Sequence, residues 1–410
     1  MFTNKVAGFV QRPLRRREQG HRALKTLMQI SALTAPALSF QNAWRGVIGI
    51  VVVALLPVFG LTGCGLNEVG SSTAPSTSGL TYRETYAWPL STPGVQGMDS
   101  ARALAGLQAI RNTPAVNSVL VVKNDFLVLE YYALGFIKDN DFHVGSVSAS
   151  VISALVGLAL EQRNIRSVKD GVFEYLPAVD GAGDDQQKRT WTIEHFLTMR
   201  AGSEWNEYDD HSHLYNSSTN WVSVSLGLPV RYAPGDTFIF ASPYAHLLSA
   251  IITRATRMST YNFAKQFLFD PLGISVRAWN TDPQGVFLGG SGMRFTPRDL
   301  ARIGQLYLRN GYLDGKQIIP RSWIEQSLVP RNRTNVVKGD LGSLNFGYLW
   351  WTNVGGGDSL FAAFGYGGQA VYVVPSRSMV IVTLADETVA RQQAEENELA
   401  IIAIVRRYFF

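Results

Sequence analysis

The sequence predicts an α/β (α+β) domain in which one antiparallel sheet is flanked by helices and a mostly helical region is inserted between its strands. Three observations carry this expectation. Strand-like segments lie near both ends of the folded part, helical periodicity fills the middle, and a long helical run closes the chain. The first helix is expected across Met98–Arg111, where Ala101, Ala103, Leu104 and Leu107 share a face. Val116–Val122 and Phe126–Tyr132 are apolar and rich in β-branched and aromatic residues, and Lys123-Asn124-Asp125 between them reads as a hairpin turn. The apolar run Val151–Leu160 predicts a buried helix spanning Ser146–Gln162, followed by a short helix at Ile193–Met199. Residues 201–243 have weak periodicity and many polar and aromatic side chains, as suits a loop-rich segment walling a pocket. Helical patterning returns at Tyr244–Ala255, Tyr261–Leu268 and Pro297–Arg309, the last with Thr296 as N-cap and Pro297 as a fitting first residue. Phe346–Trp351, Ala370–Val374 and Met379–Leu384 read as strands, and Glu387–Tyr408 as the closing helix.

The chain has 410 residues, enough for one large core, and its formal net charge of +5 is unevenly spread. Residues 1–63 carry eight basic residues and one acidic residue, leaving 29 basic and 31 acidic residues for the rest. The folded part is therefore slightly acidic, which argues against a nucleic-acid partner. The basic excess precedes an apolar run from Val47 to Phe59, and Leu61-Thr62-Gly63 leads to Cys64. A basic region, an apolar core and small residues form an export signal over residues 1–63. Its end resembles a bacterial lipoprotein processing site, which makes Cys64 the lipidated residue. The alternative is an uncleaved single membrane anchor. Either places the remainder in the bacterial cell envelope, outside the cytoplasmic membrane. Residues 64–88, rich in Ser, Thr, Pro and Gly, read as a flexible tether, and residues 89–410 as the folded domain.

The chemistry centres on Ser146-Val147-Ser148-Ala149. A serine in the first turn of a buried helix sits near unpaired backbone N–H groups at the positive end of the helix dipole. His143 lies three residues earlier, and a histidine titrates in the right range for proton transfer. A structural, hydrogen-bonded histidine is nevertheless the expected role there, as it is for His195 and His246 within helical segments. For Tyr244 and Tyr366, packing or pocket lining is favoured over proton transfer. No His/Cys/Asp cluster has metal-ligand spacing, and no glycine-rich loop joins a strand to a helix, so neither a metal nor a nucleotide cofactor is expected.

Several ordered segments together resemble the serine β-lactamase, penicillin-binding protein and esterase superfamily over about residues 95–390. They are the Ser146 helix, Trp191–Gly202, Pro234-Gly235-Asp236-Thr237-Phe238, His246–Ile251, Leu268–Ile274, Gly289–Met293, Asp299–Gly304 and Gly365-Tyr366-Gly367-Gly368-Gln369. The likeness points to the class C-like branch that includes 6-aminohexanoate-dimer hydrolases and related esterases. It implies a β-lactamase/transpeptidase-like fold and a nucleophile at Ser146. The family's first motif is Ser-x-x-Lys, and here Ala149 replaces the lysine. The second is Tyr-x-Asn or Tyr-x-Ser, and here Phe240-Ala241-Ser242 keeps only Ser242 as a hydrogen-bonding group. Gly365–Gln369 corresponds to the third motif beside the oxyanion site, which makes Tyr366, Gly367, Gly368 and Gln369 pocket residues together with Ala149, Phe240 and Ser242. The Ser146 N–H and an N–H near Gln369 are the expected oxyanion donors.

A serine hydroxyl is a poor nucleophile at neutral pH unless a positioned base takes its proton, and such assistance contributes ~10²–10⁴-fold. Alanine has no titratable group, and phenylalanine keeps tyrosine's ring while deleting its acid–base atom. The favoured reading is an impaired hydrolase-fold protein whose pocket binds an amide, ester or peptidoglycan-like ligand, or another envelope protein. The alternatives are an active amide or ester hydrolase with an atypical base, and a purely structural partner in an envelope complex.

Overall fold

The computed structural model describes residues 86–177, 185–210, 219–352 and 360–410. The export segment, Cys64 and the tether up to residue 85 lie outside the described residues.

Helix α1 (Ser100–Arg111) begins two residues later than expected because Asp99 is its N-cap, accepting from the Arg102 N–H at 3.0 Å. Strands β1 (Val116–Lys123) and β2 (Phe126–Tyr132) form the expected hairpin. Asn124 and Asp125 at its tip both have positive φ, the conformation a two-residue turn needs and these side chains tolerate. After β3 (Phe142–His143) comes helix α2 (Val147–Glu161), buried along nearly its whole length. The helical middle contributes α3 (Ile193–Leu197) and α4 (Ser242–Thr256). Next come β4 (Ala278–Trp279), β5 (Met293–Phe295) and α5 (Pro297–Leu308), the last capped as expected by Thr296 accepting from the Asp299 N–H. The chain ends through β6 (Tyr312–Leu313), β7 (Lys316–Gln317), β8 (Asn332–Val337), β9 (Ser343–Phe346), β10 (Trp351–Thr352), β11 (Phe361–Phe364), β12 (Ala370–Val374), β13 (Met379–Ala385) and helix α6 (Arg391–Phe409).

The main sheet has eight antiparallel strands in the order β2-β1-β13-β12-β11-β10-β9-β8, so strands from both ends of the described chain pair side by side, second and third from one edge. Its central strands are buried on both faces. Gly304 of α5 packs against Val371 and Val380, while Tyr372 meets Phe410 at the end of α6 with ring centroids 6.3 Å apart. Alternate residues of β12 thus serve opposite helical layers, which is why these strands read as continuous apolar runs. A small sheet, β3-β5-β4, ties the segment before α2 to the inserted region.

Two expected boundaries are corrected. Phe346–Trp351 is not one strand: β9 and β10 are joined by a turn in which Gly347 N–H donates to Trp350 O and Leu349 has φ of 59°. Leu349 is anchored instead by Leu197 O and by the Ser150 hydroxyl, so tertiary hydrogen bonds override an apolar run. The closing helix starts at Arg391, four residues after Glu387. Asp386 accepts from the Thr388 N–H and hydroxyl, a local turn that competes with helix initiation.

Candidate active site

Ser146 stands at the entrance to α2, with φ −71° and ψ −1°. Strand β3, held by β5 through the pairs Phe142–Phe295 and His143–Arg294, delivers the chain to this point. The segment after β11 comes close on the other side: a Cβ on Gly365 would lie 2.4 Å from Val144 O and 3.2 Å from Ser146 N. Glycine is therefore required there for the strand end to approach the serine.

A cavity of about 570 Å³ opens beside Ser146, and its lining includes Phe240, Ser242, Tyr366 and Gly367. Those five positions are brought together as the sequence indicates. Ala149, Gly368 and Gln369 lie outside the lining. Ala149 is one turn along α2, its N–H bonded to Ser146 O at 3.1 Å, and it is 3% exposed within the core. Gly368 has φ of 107° and packs toward Ile401 of α6. The Gln369 side chain is turned inward, donating to Ala385 O at 2.7 Å and accepting from the Ala385 N–H at 3.0 Å.

Around Ser146, His143 and Lys338 are committed elsewhere, Phe240 has no acid–base atom, and the Tyr366 ring packs 6.4 Å from that of Tyr208. Neither its hydroxyl nor its N–H has a hydrogen-bond partner among the described residues. His143 is fixed at both ring nitrogens: Nδ1 donates to Glu387 Oε2 at 2.7 Å, and Nε2 accepts from the Gly292 N–H at 3.1 Å. Phe240 stacks on Trp351, with centroids 6.1 Å apart and planes 13° from parallel, and meets Phe346 edge-on. Lys338, which also lines the cavity, is ion-paired with Glu398 and lies 5.4 Å from the Phe364 ring centroid.

The other residues considered from sequence have structural partners. Tyr244 stacks on Phe196, and its hydroxyl accepts from the Ser203 N–H at 2.8 Å; burial raises its pKa. His195 Nδ1 accepts from the Thr192 N–H at the start of α3, and burial lowers its pKa. His246 is buried against Asp282 at 3.1 Å. Among the described residues, no His/Cys/Asp/Glu group could hold a metal ion.

Glu207, Glu387 and the α6 residues Glu395 and Glu398 were not singled out as site residues by the sequence. The loop around Glu207 supplies an acidic group to the cavity, as do Glu387, Glu395 and Glu398. Glu207 accepts from the Ser242 N–H at 2.8 Å, from the Ser242 hydroxyl, and from Trp205 Nε1 at 2.7 Å. Burial pushes its pKa up against the opposing effect of those three donors. The sequence does place Glu207 within the loop-rich polar and aromatic segment 201–243, but the depth of one carboxylate depends on how that loop folds against α4.

Residues 101–405 match the family described as Beta-lactamase. A 6-aminohexanoate-dimer hydrolase from Paenarthrobacter ureafaciens is 25% identical over 304 residues, covering 70% of this chain and 76% of that protein. A penicillin-binding protein homologue from Caulobacter crescentus has a TM-score of 0.57 at 15% identity, covering 74% of this chain and 97% of that one. The octameric penicillin-binding protein homologue from Pyrococcus abyssi has a TM-score of 0.56 at 16% identity, covering 76% and 80% of the respective chains. At such identities these two structures bear on the fold alone.

Proposed function

Since this chain belongs to the Beta-lactamase family of serine hydrolase relatives, we propose that it retains the family's serine pocket as a binding site while having little or no turnover. The ligand class is an amide, an ester or a peptidoglycan-like molecule. One observation carries the reading: the Ser146 hydroxyl has no hydrogen-bond partner among the described residues. A working nucleophile needs a base within about 3 Å or one bridging water. Ala149 and Phe240 supply none, His143 has both nitrogens engaged, and Lys338 is held by Glu398. The unbonded Ser146 N–H at the helix start supports polar recognition of a carbonyl oxygen. Intact-mass analysis after treatment with a fluorophosphonate is expected to show no stable adduct on Ser146, and an ester and amide panel no Ser146-dependent hydrolysis. Labelling at Ser146, with turnover abolished by Ser146→Ala, would establish an active hydrolase instead.

We further infer that the protein is a lipid-anchored component of the bacterial cell envelope. The support is the order of basic segment, apolar run and Leu61-Thr62-Gly63-Cys64. In a bacterial host, a labelled fatty acid is expected to enter the full chain and to be lost in Cys64→Ser. Equal incorporation in both proteins would remove Cys64 as the anchor.

A further inference from the structure

The described chain enters the fold at Tyr86, and its first residues are fixed beside the edge strand β2, next to the β1–β2 tip. The Tyr86 hydroxyl donates to Asp299 Oδ1 at 3.1 Å, and its ring lies 4.6 Å from the Arg302 guanidinium. The Leu127 N–H donates to Pro89 O at 2.9 Å, and the Ser91 N–H to Leu127 O at 3.2 Å. Between this segment, the tip and the β6–β7 hairpin lies a groove of about 490 Å³ whose lining includes Trp88, Pro89, Asp125, Arg309, Tyr312 and Asp314. Its two carboxylates are already neutralised, Asp125 by Arg309 and Asp314 by Arg302. Lys123, Lys316 and Arg377 add positive charge around it. Lys316 pairs with Leu313 in the hairpin, and the Asn124 N–H donates to Ser378 O, which sets the Arg377 turn against the tip. Burial lowers the Lys123 pKa and the Arg377 charge lowers it further, so two like charges stand close together. Acidic residues outnumber basic ones across residues 64–410, which makes this basic end a local feature. The same end exposes apolar side chains: Leu90, Val95 and Tyr312 are 71%, 77% and 52% accessible, and Val95 is held near the tip by the Asn124 side chain donating to Gln96 Oε1.

We propose that this end of the domain docks on the headgroup layer of an anionic phospholipid bilayer, with Lys123, Lys316 and Arg377 at the phosphates and Leu90, Val95 and Tyr312 at the headgroup–acyl boundary. The inference rests on the lipid-anchor reading only in that the chain is held at a membrane. Attachment through residues 47–64 reaches the domain at Tyr86, so this end is nearest the attachment along the chain. Basic groups gain from the negative potential within a Debye length of the surface, and apolar and aromatic side chains gain from burial at the interface. The other strongly exposed apolar loop, Leu134–Ile137, follows the opposite end of β2. It has no comparable basic surplus, because its neighbouring charges pair as Lys138–Asp139 and Asp141–Arg294.

Spin labelling reads the contact directly. Val95→Cys, Tyr312→Cys and Leu134→Cys, each made in the full Cys64→Ser chain, give one labelled thiol per protein. The chains are reconstituted into phosphatidylcholine vesicles with and without phosphatidylglycerol, where the apolar run Val47–Phe59 is expected to attach them without Cys64. In the anionic vesicles the labels at 95 and 312 are expected to shift from nickel-chelate-accessible, as in water, to oxygen-accessible, as in lipid, while the label at 134 stays aqueous. Lys123→Glu combined with Arg377→Glu should abolish that shift, and the labels on the chain with its basic residues intact are read without relying on this variant's folding. Labels at 95 and 312 that stay aqueous on vesicle-bound chain would overturn the docking surface alone, as would a lipid-facing label at 134 in their place. An equal shift in both vesicle types, or an undiminished one in the folded charge-reversed variant, would overturn recognition of the anionic headgroups. A chain that binds neither vesicle would overturn both the surface and the N-terminal attachment.

Discussion

Ala149→Lys combined with Phe240→Tyr is expected to raise hydrolysis of a chromogenic ester at least ~10²-fold above the unmodified chain, with the gain abolished by Ser146→Ala. The reason is positional. Ala149 stands one turn after Ser146 on the same helix, with its N–H on Ser146 O, so residues 146 and 149 share a face. Phe240 lines the same cavity, where a tyrosine would bring a titratable hydroxyl. The two groups act as a unit, so each single substitution is expected to recover far less than the pair. Initial-rate measurements on the four proteins, with circular dichroism to verify folding, test this. A folded double variant with no more activity than its parent would show that restoring lysine and tyrosine at positions 149 and 240 is not sufficient for turnover.

Asp282→Ala is expected to lower unfolding free energy by about 3–5 kcal/mol, the usual scale for removing one partner of a buried pair. Asp282 and His246 are both nearly inaccessible, at 3% and 1% exposure. Asp282 Oδ2 receives the His246 Nε2–H at 3.1 Å, while Oδ1 accepts from the N–H groups of Gln284 and Val286. Alanine leaves those buried donors without their acceptor. Urea unfolding should show a lower midpoint with an unchanged slope. The pH dependence has a definite sign. Burial pushes the Asp282 pKa up, but the His246 and backbone hydrogen bonds outweigh it, so the folded-state pKa is lowered. Its stabilisation is present above the unfolded value of about 3.9 and is lost as pH falls through the lower folded value. The gap between parent and variant should therefore narrow below about pH 4. A gap that stays constant down to pH 2 would show that the carboxylate charge is not the stabilising feature.

Local patterns carried much of the fold. The hairpin Val116–Tyr132 combines period, β-branched content and an Asn-Asp tip, while Thr296-Pro297 marks the start of α5 through its cap and its fixed φ. The turn at Gly347–Trp350 was not legible, because apolar composition alone cannot show that Ser150 and Leu197 will hold Leu349 by hydrogen bonds. The delayed start of α6 follows from a short Asp386–Thr388 turn inside what reads as helix.

For the site, the family resemblance marks Ser146 as the candidate nucleophile, and the sequence shows that positions 149 and 240, where that resemblance expects a lysine and a tyrosine, carry Ala and Phe, residue types without a titratable group. The commitment of both His143 nitrogens, the inward turn of Gln369 and the burial of Glu207 without a counter-charge came from chain segments far apart in sequence. Those properties depend on contacts across the fold, with Gly292, Ala385 and Ser242 respectively, and a hydrogen bond or a dielectric environment belongs to the packed arrangement rather than to the residue.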